Sequence, residues 1–211
     1  MCALFVLHRE TDVMDTELDP EILHTFQQLQ SNAYEVGEPD PTAMTLATAD
    51  LAGRVSLRAV LLKHLDARGF VFYTNLESNK GQQLACNPRA ALCFLWMRVR
   101  NQVQVRVEGE VEAVADVEAD AYFITRPRES QIGAWASIQS QTLPDRATFD
   151  TRMRHFEAQF EGGAVPRPPF WSGRRVRPDM VEFWYGARYR LHQRDRWELV
   201  DALWQRRLLY P

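Results

Sequence analysis

"QVQVRVEGEVEAV" (residues 102–114) changes between valine and a polar residue at nearly every step. Strand side chains point alternately to two faces, so Val103, Val105 and Val107 share one face and Gln102, Gln104 and Arg106 the other. A helix, with its 3.6-residue period, would scatter those valines. Neighbouring stretches carry the same signature. "RAALCFLW" (89–96) and "FVFYTN" (70–75) read as strands, and "PTAMTLATAD" (41–50) as another. "VSLRAVLLKHL" (55–65) reads as one long strand, with turns at "DLAGR" before it and "DARG" after it. Near the end, "VEFWYG" and "RYRLHQRDRWELV" read as strands joined by a tight turn at Gly186.

Helices are fewer. Leu18, Ile22, Phe26 and Leu29 recur at helical spacing over 18–34. Ser78 sits at an N-cap-like position before a short helix that Asn87-Pro88 ends. A third helix starts at Asp116 and runs through Tyr122 and Phe123. A fourth covers about 145–161, with Phe149, Met153, Phe156 and Phe160 on one face. "GGAVPRPPFWSG" (162–173) reads as a Gly/Pro loop. Many antiparallel strands with a few flanking helices predict one α+β domain over 18–211, built round a closed or partly closed barrel. Residues 1–17 are expected to form a mobile N-terminal extension.

The chain has 211 residues and a net charge of -3, so bulk electrostatics favour neither nucleic acid nor an anionic membrane. No apolar run approaches the ~20 residues that span a bilayer. The opening "MCALFVLHRETD" lacks the basic start and cleavage site of a signal peptide. Cys2, Cys86 and Cys93 have no paired spacing, which predicts unbridged thiols in a reducing cytoplasm rather than a disulfide or zinc framework. His8, His24, His64, His155 and His192 show no metal spacing, and no metal is expected. Glycine-rich phosphate loops and a Gly-x-Ser-x-Gly elbow are absent from the sequence.

Any anion site must come from local clusters. "RYRLHQR" (188–194), taken as a strand, puts Arg188, Arg190, His192 and Arg194 on one face, with Tyr189 and Leu191 on the other. Such a row of cations suits a phosphate or another delocalised anion, although a solvated outer face is the plain alternative. In "RAVLLK" (58–63), Arg58 and Lys63 are an odd number of residues apart. A regular strand sends them to opposite faces, so they serve different ligands or a bulge re-aims one. Lys80 lies near a helix start, where backbone N–H groups and a cation can share a phosphate. Tyr73, Thr74, Gln102 and Trp184 are ordinary when taken singly. "RPRESQIGAWASIQSQ" (126–141) fits no strand period; Ile132, Trp135 and Ala136 have helical spacing.

Taken in order, "RAVLLK", "FYTN", "SNK" (78–80), "NQVQV" (101–105), "YFITRPRESQIGAWAS" (122–137) with "IQS" (138–140), "VEFWYGARYRLHQR" (181–194) and "RRLLYP" resemble the pyridoxine (pyridoxamine) 5′-phosphate oxidase family. The resemblance runs from about residue 40 to the end. It implies an FMN-binding split β-barrel, mostly antiparallel and Greek-key-like, in an obligate homodimer with flavin at the interface. The implied reaction oxidises pyridoxine 5′-phosphate or pyridoxamine 5′-phosphate to pyridoxal 5′-phosphate and reduces O2 to H2O2. On the same basis Arg58, Ala59, Val60, Leu61, Leu62, Lys63, Tyr73, Thr74, Lys80, Gln102, Gln139, Ser140, Trp184 and Arg194 would contact FMN. Lys63, Tyr122, Arg126 and Ser130 would hold the substrate phosphate, and Arg190 and His192 would face the reacting carbon as catalytic residues.

Two departures stand out. Asn79 occupies a position that is usually basic in the family, which predicts weaker FMN retention. The basic, tyrosine-containing N-terminal segment of relatives is not recognisable in "MCALFVLHRETDVMD". Three other readings compete: a different FMN split-barrel oxidase, such as a phenazine-pathway enzyme; a non-catalytic flavin- or pyridoxal-phosphate-binding protein; and a ligand-free dimerisation domain. The intact "RPRES" favours a phosphorylated pyridine, and Arg190 with His192 favours catalysis.

Overall fold

The computed structural model describes residues 16–211. Most of the expected N-terminal extension, with Cys2 and His8, lies outside them. Helix α1 (Pro20–Glu35) starts at Asp19, whose side chain accepts from the Glu21 N–H at 2.8 Å. It buries Ile22, Phe26, Leu29 and Ala33 against the inner face of a nine-stranded antiparallel sheet. Phe26 meets Phe70 and Phe94 edge-on, with ring centroids 5.1 and 4.9 Å apart.

The strands are β1 (Ala43–Ala49), β2 (Val55–Leu61), β3 (His64–Asp66), β4 (Gly69–Asn75), β5 (Arg89–Trp96), β6 (Val103–Ala113), β7 (Trp171–Tyr185), β8 (Gln193–Val200) and β9 (Leu203–Leu209). Their order is β2-β1-β5-β6-β7-β4-β3, with β8 added to β7 and β9 to β8. The two ends of that path, β2 and β3, are consecutive in the chain, so the sheet curls back towards itself. The expected single strand over 55–65 is therefore two. Leu62, only 5% exposed, drops into the core, and the Lys63 N–H donates to the Val71 carbonyl at 2.8 Å. Val103, Val105 and Val107 all point inward as their alternation requires.

Between the strands lie α2 (Asn79–Cys86), α3 (Asp116–Ile124), α4 (Arg128–Ala136) and α5 (Arg146–Gln159). The apolar face expected near 145–161 is real but shallow. Met153, Phe156 and Phe160 pack against the Phe123–Ile132–Trp171 cluster, and no residue of α5 is fully buried. No helix among the described residues is long and apolar enough to cross a membrane.

Two expectations at the C-terminal end are corrected. β7 begins at Trp171, ten residues before the strand expected at Val181, so "WSG" belongs to the sheet and not to the loop. β7 tolerates Pro178 because the β6–β7 register shifts beside it, between Glu108 and Gly109. "RYRLH" is not a strand. Arg188–Arg190 form a 3₁₀ turn, in which Tyr189 and Arg190 have φ of 57° and 62°. Left-handed backbone at two successive residues ends any extended run. Tyr189 and Leu191, expected on the face opposite the cations, are both exposed.

Candidate functional site

The break at Leu62–Lys63 has a chemical consequence. It re-aims Lys63, so Arg58 and Lys63 line the same cavity, of about 830 Å³. β4 adds Tyr73 and Thr74, α2 adds Lys80, α3 adds Tyr122, and the α3–α4 corner adds Arg126. Ser130, Gly133, Gln139 and Trp171 complete the wall that matters here. Among the described residues that line it are four cations, Arg58, Lys63, Lys80 and Arg126, and no carboxylate. Cations held without an acidic partner mark a place for an anion.

At one end, α2 starts from Ser78, whose Oγ accepts from the Gly81 N–H and from Lys80 Nζ at 3.1 Å. Gly81 is required there, because a Cβ would lie 2.1 Å from the Leu76 carbonyl oxygen. Lys80 Nζ also donates to Gln139 Oε1 at 2.7 Å. Burial, and secondly the charge of Arg58, push the Lys80 pKa down to about 8. Arg58 is fixed by Thr48 Oγ1 at 2.6 Å, and burial lowers its pKa too. Ser140 does not line the cavity; its Oγ accepts from the Asn79 N–H at 3.2 Å. Asn79 lines a separate cleft with Asp50, Arg54 and Gln82.

At the other end, the near-parallel rings of Tyr73, Tyr122 and Trp171 cluster together, with the Tyr73 centroid 4.0 Å from Tyr122 and 5.2 Å from Trp171, and Tyr122 6.2 Å from Trp171. Burial, with a smaller contribution from Glu118, pushes the Tyr73 pKa up to about 12, so it stays a neutral phenol. Arg126 lies over Trp171, 4.8 Å from the ring centroid. Its Nη1 is buried and has no hydrogen-bond partner among the described residues. A buried guanidinium N–H left without a partner is destabilising unless a ligand meets it. Gln131 braces this corner, its Nε2 donating to the carbonyls of Phe123, Ile124 and Arg126 at 3.0–3.3 Å. α4 carries the helical face expected from its sequence, burying Ile132 and Ala136, while Trp135 Nε1 donates to the Pro166 carbonyl at 2.7 Å.

Other residues expected at the site lie elsewhere. Ala59, Val60 and Leu61 line the cavity, whereas Leu62 is in the core. Gln102, Trp184, Arg190, His192 and Arg194 are absent from the cavity wall. Trp184 is thirteen residues along β7 from Trp171, roughly 40 Å at ~3.3 Å per residue. Trp184, His192 and Arg194 form a second group, with Gln102 and Arg190 in the turns beside it. Trp184 stands opposite Arg194 in the β7–β8 register, and the His192 ring lies 4.4 Å from the Trp184 ring. The Ala187 N–H donates to His192 Nδ1 at 3.2 Å, so the neutral ring carries its proton on Nε2. Of the seven non-glycine residues with positive φ among the described residues, Arg100, Gln102, Ser140, Tyr189 and Arg190 belong to or flank the expected site, and the other two, Asp201 and Ala202, make the β8–β9 turn.

The sequence reading missed Trp171 because the Gly/Pro run hid the strand start. It also missed Gly133, which has no local signal except its place inside a helix. A Cβ on Gly133 would meet no atom within 4 Å.

A family profile described as "Pyridoxamine 5'-phosphate oxidase" matches residues 32–160. A second, "Pyridoxine 5'-phosphate oxidase C-terminal dimerisation region", matches residues 171–211. The chain is 55% identical over 198 residues to the pyridoxine/pyridoxamine 5′-phosphate oxidase of Xanthomonas euvesicatoria pv. vesicatoria, covering 93% of this chain and 100% of that one. It is 49% identical to the protein of the same name from Myxococcus xanthus, covering 99% of this chain and 98% of that one. Among solved structures, PhzG from Burkholderia lata 383, in complex with tetrahydrophenazine-1-carboxylic acid, superposes with a TM-score of 0.82 at 31% identity over 99% of both chains. A pyridoxamine 5′-phosphate oxidase-related, FMN-binding protein of Nostoc punctiforme shares the fold at TM-score 0.72 and 14% identity, over 92% of this chain and 99% of that one.

Lys80 makes the affinity for a phosphate monoester pH-dependent. Below about pH 8 it is charged in both the free and the bound protein. Above that, the free protein must take up a proton to bind a dianion. Affinity is therefore expected to fall as pH rises through 8, approaching about tenfold per pH unit. Fluorescence titration with FMN between about pH 6.5 and 9.5 checks this, and a flat profile refutes it. Gly133→Ala is expected to stabilise the ligand-free protein by about 0.5–1 kcal/mol, as helix-interior Gly→Ala does, while weakening ligand binding about tenfold. Denaturant midpoints and ligand titrations read the two opposite signs.

Proposed function

This chain belongs to the pyridoxamine 5′-phosphate oxidase family, and we propose that it oxidises pyridoxine 5′-phosphate or pyridoxamine 5′-phosphate to pyridoxal 5′-phosphate with FMN as cofactor, reducing O2 to H2O2. The observation that carries the reading is the acid-free cavity, with one cationic group at the start of α2 and another at the α3–α4 corner. Two phosphorylated molecules, cofactor and substrate, need two such anchors. Lys80, Arg58 and Gln139 suit the FMN phosphate. Arg126, with its unpartnered Nη1, suits the substrate phosphate together with Ser130, Tyr122 and Lys63.

FMN, when bound, supplies the hydride acceptor and the route to O2. The chain's residues supply position and charge. The phosphate clamp fixes the substrate ring, so its loss lowers turnover as well as affinity. Arg190 orients the substituent on the reacting carbon. His192 presents its Nε2 proton to that substituent when neutral. Trp184, Gln102 and Arg194 complete the flavin contacts.

The second group lies too far along β7 to serve the cavity of its own chain, which supports a homodimer in which each cavity is completed by the partner copy. Leu57 and Leu95, both exposed, stand on the same outer sheet face as Arg106 and Trp184 and suit burial in such an interface. A phenazine-type substrate is the competing reading, supported by the PhzG likeness at 31% identity.

Purified protein is expected to be yellow, and to release one H2O2 per pyridoxal 5′-phosphate formed from either phosphorylated vitamer. Protein that takes up no FMN, or that oxidises only a tricyclic acid, overturns the reading. Arg126→Ala and Arg190→Ala proteins, each inactive alone, are expected to recover about a quarter of wild-type activity after subunit exchange, because half the dimers are hybrids with one intact site. No recovery despite exchange would show that both groups act within one chain.

A further inference from the structure

We propose that Glu182 is a positioning residue, whose buried carboxylate holds the Arg194 guanidinium in the orientation that meets the flavin. This rests on the reading above, in which Arg194 contacts FMN. The ground is geometric. Glu182 sits in the second half of β7 with its side chain 2% exposed. In register it lies opposite Arg106 on β6 and Arg196 on β8. Its Oε1 accepts from Arg194 Nε at 2.8 Å. Its Oε2 accepts from Arg196 Nε and Nη2 at 3.0 and 2.8 Å, and Arg106 Nη1 stands 3.8 Å away.

A second contact fixes the other side of the same guanidinium. Arg194 Nη1 donates to the Tyr210 carbonyl at 3.1 Å. Nε and Nη1 are both held, and because the guanidinium is planar this fixes Nη2 as well, the nitrogen left for a ligand. The β7–β8 register sets Arg194 beside Trp184, another proposed flavin contact, and Glu182 is two residues from Trp184 on the same face.

A carboxylate is a poor device for merely joining strands, because apolar residues of similar volume often serve as well. What a carboxylate adds is direction. It takes Nε of Arg194 through one oxygen and Arg196 through the other. Arg194 therefore cannot rotate towards Arg196 or swing to solvent without leaving a buried charge short of a partner.

The test is a double-mutant cycle of wild type, Glu182→Gln, Arg194→Met and the double variant. FMN affinity is read by flavin fluorescence quenching, and unfolding of each FMN-free protein is followed separately. Glu182→Gln is expected to raise the FMN Kd about tenfold in the Arg194 background, and not at all in the Arg194→Met background. An equal loss in both backgrounds means a merely structural role and overturns the proposal, as does an unchanged Kd in the single variant. If Glu182→Gln does not fold, a chain shortened to end at Leu209, the last residue of β9 and the partner of Arg194 in the ladder, with its new C-terminus amidated, decides. It removes the Tyr210 carbonyl, and Tyr210 itself is 93% exposed, so little packing goes with it. The shortened chain is expected to show a Kd raised about threefold in the Arg194 background and unchanged in the Arg194→Met background. A Kd unaffected by the shortening, or affected equally in both backgrounds, overturns the clamp. Wild-type protein that binds no FMN overturns the functional reading itself, and the proposal with it.

Discussion

One edge of β7 has two partners. β4 pairs with its first part, from Trp171 to Val176, and β8 pairs with its last part, from Met180 to Tyr185, while β6 runs along the opposite edge. The first half of the strand therefore belongs to the curled sheet and the second half to the β8–β9 extension. Each half is tied down by a buried ion. Arg175, 1% exposed, reaches Asp66 at 2.6 Å and Glu118 at 3.1 Å. Glu182 reaches Arg194 and Arg196. Burial alone would raise the Glu182 pKa, but the hydrogen bonds and charges of the two arginines outweigh it and hold the carboxyl ionised. Removing one member of either cluster strands a buried charge, so the strand's placement is enforced from both ends.

That division explains the division of the site. Trp171, at the start of β7, supports Arg126 in the cavity. Trp184, near its end, belongs with His192 and Arg194. One strand carries both groups and keeps them apart. The charge of the cavity fits the same picture. Its cations have no carboxylate to neutralise them, and burial lowers the pKa of Arg58, Lys80 and Arg126. A bound phosphate reverses that penalty, so ligand binding and the stability of this region are coupled.

Much of this was legible in the sequence, for a physical reason. β5 and β6 bury one face and expose the other, and that contrast is what a period of two records. Ser78 announced α2 because a helix start needs an acceptor for its free N–H groups. β7 was only half legible. Its first half carries Arg174, Arg175, Arg177 and Pro178, and a buried ion-paired arginine looks like a surface residue until its partners are known. The "RYRLH" alternation misled for the opposite reason: five residues can alternate by composition alone, while two left-handed residues decide the backbone. In "RAVLLK" the face question turned on a strand break at Leu62, which burial dictates and spacing does not reveal. The roles of the site residues came from resemblance; periodicity alone reached an anion-binding face and no further.

The two groups also differ in how their charges balance. In the cavity, cations stand without acids, and a ligand is needed to balance them. On the outer face of β6–β7–β8, Arg106, Arg194 and Arg196 meet Glu182, and Glu108 and Glu198 answer Arg106 and Arg196 in turn. A face balanced in this way can lie against a second protein surface without the repulsion that a bare row of cations would bring. In the homodimer proposed above, one chain then supplies the net charge that holds a dianion. The other supplies directed groups, the Arg194 guanidinium and the His192 Nε2 proton, set by their own hydrogen bonds. A ligand that touches both chains is bound by the dimer and not by the free subunit, so filling the site and assembling the pair favour each other.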